Sequence, residues 1–138
     1  MADTEIQVTF SAPGQAPLRL AAREVVLPGE AGVFTVLPGH TPFLTILAAG
    51  VVEVRPPEGP GRYFAVAGGI AEVRDDTIKI LAEIFEEGSQ IDPGRAQAAR
   101  ARAEERLKRP GEEVDLRRAE LALQRSIARL GAHGKEGY

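Results

Sequence analysis

Four arginine side chains in the C-terminal third of the chain have the type and the spacing to bind phosphate. Arg95 and Arg102 are seven residues apart, and Arg125 and Arg129 are four apart, so each pair lies on one face of a helix. The planar guanidinium group makes charge-assisted hydrogen bonds to phosphate oxygens. If two such helices pack antiparallel, the four cations can converge on one anion. The alternative is that these arginines are solvated helix charge.

Residues that commonly catalyse reactions are scarce and stand outside catalytic motifs. The chain has no cysteine, which excludes thiolate catalysis, disulfides and cysteine metal sites, and it has only two histidines, His40 and His133. It contains no Walker A, H-E-x-x-H or G-x-S-x-G pattern. No pair of carboxylates is singled out by its context. We therefore expect a protein that is not an enzyme, requires no cofactor and binds no metal.

Composition and charge predict a folded chain with an acidic front and a basic tail. Of the 138 residues, 43% are hydrophobic, which is sufficient for a core. Residues 1–90 carry a net charge of −6 and residues 91–138 a net charge of +3. Such a tail is poorly suited to nucleic acid and better suited to an acidic protein surface or a polyphosphate.

The most apolar run, residues 43–52, is much shorter than the ~20 residues that span a bilayer, so we expect no direct membrane insertion.

The first 90 residues alternate short apolar segments with turn signals such as Pro38-Gly39 and Asp75-Asp76. Because no helical segments intervene, the pattern favours an antiparallel β-sandwich. Gly68-Gly69 predicts a bulge or a close approach of two backbones. Segments rich in β-branched and aromatic residues predict strands at residues 5–10, 18–26, 33–37, 43–47, 51–55, 62–66, 70–74 and 77–81.

The pattern becomes helical after residue 90. Asp92-Pro93 predicts a helix start, because Asp caps free N–H groups and Pro suits the first helical position. Asp115 is the predicted cap of a second helix and Gly131 its predicted stop. The fold class is therefore α+β, with a sandwich domain at residues 1–88 and an antiparallel two-helix hairpin at 89–138. The apolar stripes are Ala96, Ala99, Ala103 and Leu107 in the first helix, and Leu116, Ala119, Leu123, Ile127 and Leu130 in the second. Because alanine buries little area, we expect the hairpin to be marginally stable.

Three stretches resemble the epsilon subunit family of F-type ATP synthases. The first is residues 32–54, around Pro38-Gly39-His40-Thr41-Pro42, and the second is residues 63–83, with Gly68-Gly69 followed by Glu72-Val73. The third is the start of the helical part, Ile91-Asp92 with Arg95-Ala96. The resemblance covers roughly residues 4–130, and it rests on the order and spacing of the motifs.

The resemblance implies a non-catalytic subunit of the central stalk. In that family the sandwich contacts the gamma subunit and the c-ring. The helical hairpin folds against the sandwich, or extends to the catalytic alpha/beta head and restrains ATP hydrolysis. The chain would then be peripheral, on the cytoplasmic face of the bacterial plasma membrane, in a complex that couples proton translocation to ATP synthesis.

The resemblance also implies roles for individual residues. Arg117 and Arg118 would contact the catalytic head, and the alternative for them is a solvated helix face. A rotor-contact loop would consist of Pro38, Gly39, His40 and Pro42. ATP as a regulatory ligand would bind at Glu86, Ile91, Asp92, Arg95, Ala96, Arg102, Arg125 and Arg129. The chain departs from the family at Val33, where an acidic residue is common, and at Thr35, where glycine is frequent.

Two functions from other classes remain as alternatives. One is a free-standing ATP-sensing module that uses the same helical arginines, and stable association with a gamma subunit would exclude it. The other is a small hydrolase that uses His40 and a carboxylate, and it predicts turnover by the isolated chain.

Overall fold

The computed structural model describes residues 4–109, 111 and 113–135. Ten strands are followed by a short 3-10 turn at Gly88–Gln90 and two helices, α1 (Pro93–Leu107) and α2 (Glu113–Gly134). The strands are β1 (Ile6–Ser11), β2 (Leu18–Ala22), β3 (Glu24–Gly29), β4 (Gly32–Val36), β5 (Phe43–Leu47), β6 (Gly50–Arg55), β7 (Arg62–Val66), β8 (Gly69–Arg74), β9 (Thr77–Ala82) and β10 (Phe85–Glu87).

The strands form one hydrogen-bonded ladder that folds over on itself. Its order is β10-β7-β6-β3-β5-β8-β9-β1-β2, with β4 added beside β3. The ladder bends from one layer to the other between β3 and β5, which pair only at Gly29 and Leu47. Alternate side chains of both layers point inward and build the main core, in which Phe10 lies against Phe64 and Phe85. The predicted α+β class, with a sandwich followed by a helical hairpin, is confirmed.

The ladder differs from the predicted strands in three places. The predicted strand at 18–26 is two strands, because the chain crosses between layers at Arg23: β2 pairs with β1, whereas β3 pairs with β6. Strand β10 was not predicted, because it is only three residues long and too short to show an alternation of apolar and polar residues. One pair, β1 with β9, is parallel, which is possible because these strands are far apart in sequence and no hairpin constrains them.

The close backbone approach predicted at Gly68-Gly69 is confirmed at Gly69. Its φ is 139°, a value that side-chain-bearing residues rarely adopt. A Cβ atom there would overlap the carbonyl oxygen of Leu81 and lie 2.8 Å from Cα of Ala82. Glycine at this position lets β8 pair closely with β9.

The start of α1 agrees with the sequence, whereas both predicted limits of α2 are wrong. Asp92 caps α1 by accepting a hydrogen bond from the backbone N–H of Arg95 (3.2 Å). Helix α2 begins at Glu113, so Asp115 lies inside its first turn, and it continues through Gly131 to Gly134. Glycine is tolerated at position 131 because packing against the sheet compensates for its low helix propensity.

The apolar stripe predicted for α2 is only partly correct. Ile127 is 47% exposed, whereas the buried positions are mostly alanine: Ala119, Ala128 and Ala132. Ser126 is also buried, and its hydroxyl donates to the carbonyl of Ala122 (2.9 Å). Small side chains are the buried ones because they let α2 approach its neighbours closely, which places the larger residues at the margins.

A second apolar cluster joins the hairpin to the outer face of the sandwich. Ala65 of β7 is buried together with Ile91, Ala96 of α1, and Ala128 and Ala132 of α2. Gly131 faces Val51 of β6, and a Cβ atom there would lie 3.3 Å from Val51 Cγ2. The axis of α2 can therefore lie close to β6 and β7 only because the contact residues are small.

Polar contacts surround this cluster. The ammonium group of Lys135 lies 5.8 Å from the centre of the Tyr63 ring, a cation–π distance. His133 Nδ1 lies 3.2 Å from the carbonyl oxygen of Gly88 and donates to it. These contacts attach the C-terminal end of α2 to the sandwich.

We expect Gly131→Leu to release the hairpin from the sandwich while the sandwich stays folded. A Cβ atom at this position already lies 3.3 Å from Val51 Cγ2, so the larger leucine side chain must displace Val51 or the helix, and overpacking of this kind costs about 1–3 kcal/mol. Amide hydrogen exchange of α2 should then become about tenfold or more faster, with strand amides unchanged. The control is Gly134→Leu, because a Cβ atom at Gly134 meets nothing within 4 Å. Equal exchange in both variants would contradict the close contact.

Candidate functional site

A cavity of about 260 Å³ lies where β7, β10 and the two helices meet. Its apolar walls come from Ala65, Val66 and Ala67 on and after β7, and from Ala99 on α1. The charged residues that line it are Glu86 of β10 with Arg125 and Arg129 of α2. The cavity therefore combines a small-residue lining with two guanidinium groups, a composition suited to a ligand that has both an apolar part and negative charge.

Glu86 and Arg129 form a two-point ion pair within the cavity. Arg129 Nη2 donates to Glu86 Oε2 at 2.9 Å, and Arg129 Nε lies 2.9 Å from Glu86 Oε1. The Nε–H is buried and does not point at that oxygen, so this second approach is an electrostatic contact rather than a hydrogen bond. Because both side chains are about a third exposed, solvent screens the pair and its net stabilisation is modest, about 1 kcal/mol. The pair links α2 to the sandwich and neutralises one of the two cavity arginines.

The position of Glu86 depends on Gln15, a residue that the sequence did not single out. The Gln15 side chain, from the β1–β2 loop, donates to the Phe85 carbonyl (3.0 Å) and accepts from the Phe85 N–H (3.3 Å). It thereby acts as a strand partner for β10 on the side away from β7. No local signal could have revealed this contact, because the two residues are 70 positions apart.

The structure brings together part of the predicted nucleotide-binding set. Glu86, Arg125 and Arg129 line the cavity, whereas Arg95 and Arg102 do not. Both of these are exposed on α1, four residues before and three residues after Ala99, and so lie on the same helix face as that cavity residue. The structure does not gather four guanidinium groups around one point.

The remaining predicted nucleotide-binding residues have structural roles in the described part of the chain. Asp92 is exposed and caps α1. Ile91 and Ala96 are buried in the cluster that joins the hairpin to the sandwich. Asp92 stabilises the N-terminus of α1, and the packing of Ile91 and Ala96 sets the distance between α1 and β7.

The predicted rotor-contact loop forms a tight turn between β4 and β5. The His40 N–H donates to the Leu37 carbonyl (3.1 Å), with Pro38 and Gly39 between them. The φ of Gly39 is 83°, which identifies a type II turn and requires a residue that tolerates positive φ. His40 Nδ1 lies 2.7 Å from the Thr41 carbonyl and must carry a proton to donate to it. Among the described residues, His40 Nε2 makes no hydrogen bond.

The surroundings of this loop are apolar rather than ionic. Val33, the residue at which the resemblance implies a departure from an acid, is 73% exposed. Phe43 packs edge-on against Phe34, and His40 lies beside Phe43. Within the described residues, no carboxylate is paired with His40, so the geometry gives no support to a hydrolase that uses this histidine.

The hairpin turn carries a cluster of basic side chains. Arg117 and Arg118 are both exposed near the start of α2. Arg118 lines a depression of about 460 Å³ together with Arg106, Arg109 and Asp115. In contrast to Arg109, which pairs with Glu105, no ion pair occupies Arg117 or Arg118 among the side chains of residues 4–109, 111 and 115–135.

The described residues show neither a metal site nor a membrane-spanning helix. Over the side chains of residues 4–109, 111 and 115–135, no three His, Asp or Glu residues are grouped so as to hold a metal ion. In that same part of the chain, neither helix is apolar enough over sufficient length to cross a bilayer.

Comparisons with solved structures agree with the fold. A chain of the Euglena gracilis mitochondrial ATP synthase, solved with OSCP, F1 and c-ring, superposes with a TM-score of 0.77 at 24% identity, covering 91% of this chain and 79% of that one. A chain of the Tetrahymena thermophila mitochondrial ATP synthase central stalk and c-ring superposes with a TM-score of 0.61 at 13% identity, covering 96% and 99%. At these identities the likeness concerns the fold alone.

Comparisons of sequence establish the family. The protein named ATP synthase epsilon chain from Desulforamulus reducens is 44% identical over 78% of this chain and 81% of its own length. The protein of the same name from Syntrophomonas wolfei is 37% identical over 98% of both chains. Residues 5–88 match the β-sandwich domain of the ATP synthase delta/epsilon chain, and residues 89–134 match its long α-helix domain. The chain therefore belongs to the ATP synthase delta/epsilon family, as an epsilon-type subunit that is not an enzyme in its own right.

Proposed function

We propose that this chain is a central-stalk subunit that holds the gamma subunit through the uncovered outer face of its sandwich. The supporting observation is a row of exposed aliphatic side chains across three neighbouring strands. Ile46 pairs with Ile70, and Ile70 pairs with Leu81. These side chains are 57%, 44% and 57% exposed. Exposed apolar residues that occur singly are ordinary, but a contiguous row of large ones is typical of a binding surface.

This row and the docking site of the hairpin lie on different faces of the sandwich. It lies on the β5–β8–β9 layer, whereas the hairpin covers the β6–β7 layer. A partner can therefore occupy the row whether or not the hairpin is docked. The same arrangement leaves the rotor-contact loop, residues 38–42, free to meet the c-ring. The chain would then be peripheral, on the cytoplasmic face of the bacterial plasma membrane.

The hairpin is the proposed regulatory element. Four of the five buried residues in its contact with the sandwich are alanines, which bury little area, so the contact can open at modest cost. Once released, the basic side chains near the hairpin turn, including Arg117 and Arg118, could meet an acidic surface of the catalytic head. This would restrain ATP hydrolysis, while the docked state would leave the head free to synthesise ATP as protons pass through the rotor.

ATP is the proposed ligand that favours the docked state. The 260 Å³ cavity lies just below the ~300–1,000 Å³ range of small-molecule sites. It would therefore hold only part of the nucleotide, leaving the phosphates at the rim near Arg125. Arg95 and Arg102 lie on the same face of α1 as Ala99, which lines the cavity. Binding between α1, α2 and β7 would stabilise the docked hairpin by mass action.

We expect Ile70→Asp to abolish stable association with a cognate gamma subunit. The substitution places a charge at the centre of the aliphatic row, where a partner would have to desolvate it. Binding of the purified chains by calorimetry should weaken by at least about a hundredfold, which is near 3 kcal/mol. The matched control is Leu121→Asp, because Leu121 is comparably exposed (51%) but lies on α2. If Leu121→Asp weakens binding as much as Ile70→Asp, the surface assignment fails.

We expect a chain that ends at Gln90 to bind an epsilon-depleted ATP synthase without inhibiting it. The full chain should bind and lower ATP hydrolysis, because only it carries the hairpin. The measurement is steady-state hydrolysis with each chain added back, together with the amount retained on the complex. If the complex retains both chains and neither inhibits it, only the regulatory role of the hairpin is contradicted. If the complex retains neither chain, the subunit role is contradicted.

We expect Arg125→Ala to weaken ATP binding by the isolated full chain by about tenfold or more, since a charge-assisted hydrogen bond contributes about 1.5–3 kcal/mol. Arg117→Ala is the control, because Arg117 is an exposed arginine of the same helix that does not line the cavity. Titration calorimetry measures both. Equal loss in the two variants would show that helix charge, not the cavity, attracts the nucleotide, and absence of binding by the unmodified chain would contradict the site.

A further inference from the structure

The rotor-contact loop is tied by one hydrogen bond to the β8–β9 turn, which lies beside the start of β5 in the same layer of the sandwich. The backbone N–H of Gly39 donates to the carboxylate of Asp76 at 2.6 Å, across 37 residues of sequence. Among the described residues, this is the one hydrogen bond that links residues 37–42 to a distant part of the chain. The charge on the carboxylate makes such a bond stronger than one between neutral groups.

Asp76 is itself held in place from two sides. Asp75 and Asp76 form the two-residue connection between Arg74 and Thr77, which pair across β8 and β9. Their φ values of 51° and 57° are those of a type I′ turn, which normally prefers asparagine or glycine. The Asp76 carbonyl also accepts from the backbone N–H of Gln7 at 3.0 Å. A side chain in such a fixed turn is a rigid anchor.

The anchor acts on the residue that gives the loop its shape. Gly39 occupies the third position of the type II turn, where its positive φ turns its N–H toward the β8–β9 hairpin. Fixing this amide fixes the Pro38–Gly39 peptide at the centre of the turn, directly before the residue that leads into His40. Aspartate occupies two positive-φ positions where glycine would be less strained, and only the carboxylate of the second contacts the loop.

We propose that Asp76 is a positioning residue for the contact between the β4–β5 loop and the c-ring. This inference rests on the proposed function, because it assigns to Asp76 the task of presenting Gly39 and His40 to that partner. Without the carboxylate, the turn would keep its Leu37–His40 hydrogen bond but lose its fixed orientation relative to the sandwich.

The test compares Asp76→Gly with Asp75→Gly. Glycine suits both positive-φ positions, so neither variant strains the turn. The Asp75 carboxylate lies 3.6 Å from Arg74 Nε and makes no contact with the loop, which makes Asp75→Gly the matched control. Amide exchange of Gly39 in the full chain is measured by NMR. Affinity of the same chain for a purified c-ring and for the gamma subunit is measured in parallel.

For Asp76→Gly we expect Gly39 exchange to rise about tenfold, as for loss of one charge-assisted hydrogen bond. Affinity for the c-ring should fall several-fold, with affinity for gamma unchanged, and Asp75→Gly should match the unmodified chain in all three. Unchanged Gly39 exchange would overturn the anchor. Faster exchange with unchanged c-ring affinity would overturn the positioning role. Failure of the unmodified chain to bind the c-ring would instead contradict the rotor contact itself, and would be visible before any variant is compared.

Discussion

The close approach of α2 to strands β6 and β7 is the contact on which the arrangement of the molecule depends. Gly131 faces Val51, and alanines at positions 128 and 132 are buried near Ala65. Larger side chains would hold the helix away from the sheet and open the cavity that Glu86, Arg125 and Arg129 line. The same small side chains bury little apolar area, so the contact that shapes the cavity is also easy to break. A regulatory element that must leave its docking site needs this combination.

The two outer faces of the sandwich have opposite properties. The β6–β7 face is covered by a hairpin held through small residues and a screened ion pair, Glu86–Arg129. The β5–β8–β9 face is uncovered and carries an aliphatic row suited to a permanent partner. An apolar row binds more strongly than an alanine contact of similar extent, because each large side chain removes more apolar area from water. Under the proposed function, the molecule would stay anchored through the β5–β8–β9 face while the hairpin leaves the β6–β7 face.

The sequence predicted those features that depend on local chemistry. Asp92 caps α1 because its carboxylate meets the N–H of Arg95 three residues on, and alternating side chains gave most strands. Contacts between distant segments left no local trace: Gln15 on Phe85 and Asp76 on Gly39. The limits of α2 were wrong because Asp115 and Gly131 resemble helix ends in isolation, whereas packing on the sheet carries the helix past Gly131. Arg95 and Arg102 share a helix face as expected, but their distance from the cavity depends on how α1 is set against α2.

A distance measurement between the hairpin and the sandwich tests the docked arrangement most directly. The chain has no cysteine, so spin labels at Glu83→Cys and Glu120→Cys, both exposed positions, would be the only ones present. Double electron–electron resonance on the isolated full chain should give a single narrow distance distribution, as expected for α2 held on β6 and β7. A broad distribution, or one dominated by longer distances, would show that the small-residue contact does not hold the hairpin. It would contradict the docking of α2 on β6 and β7.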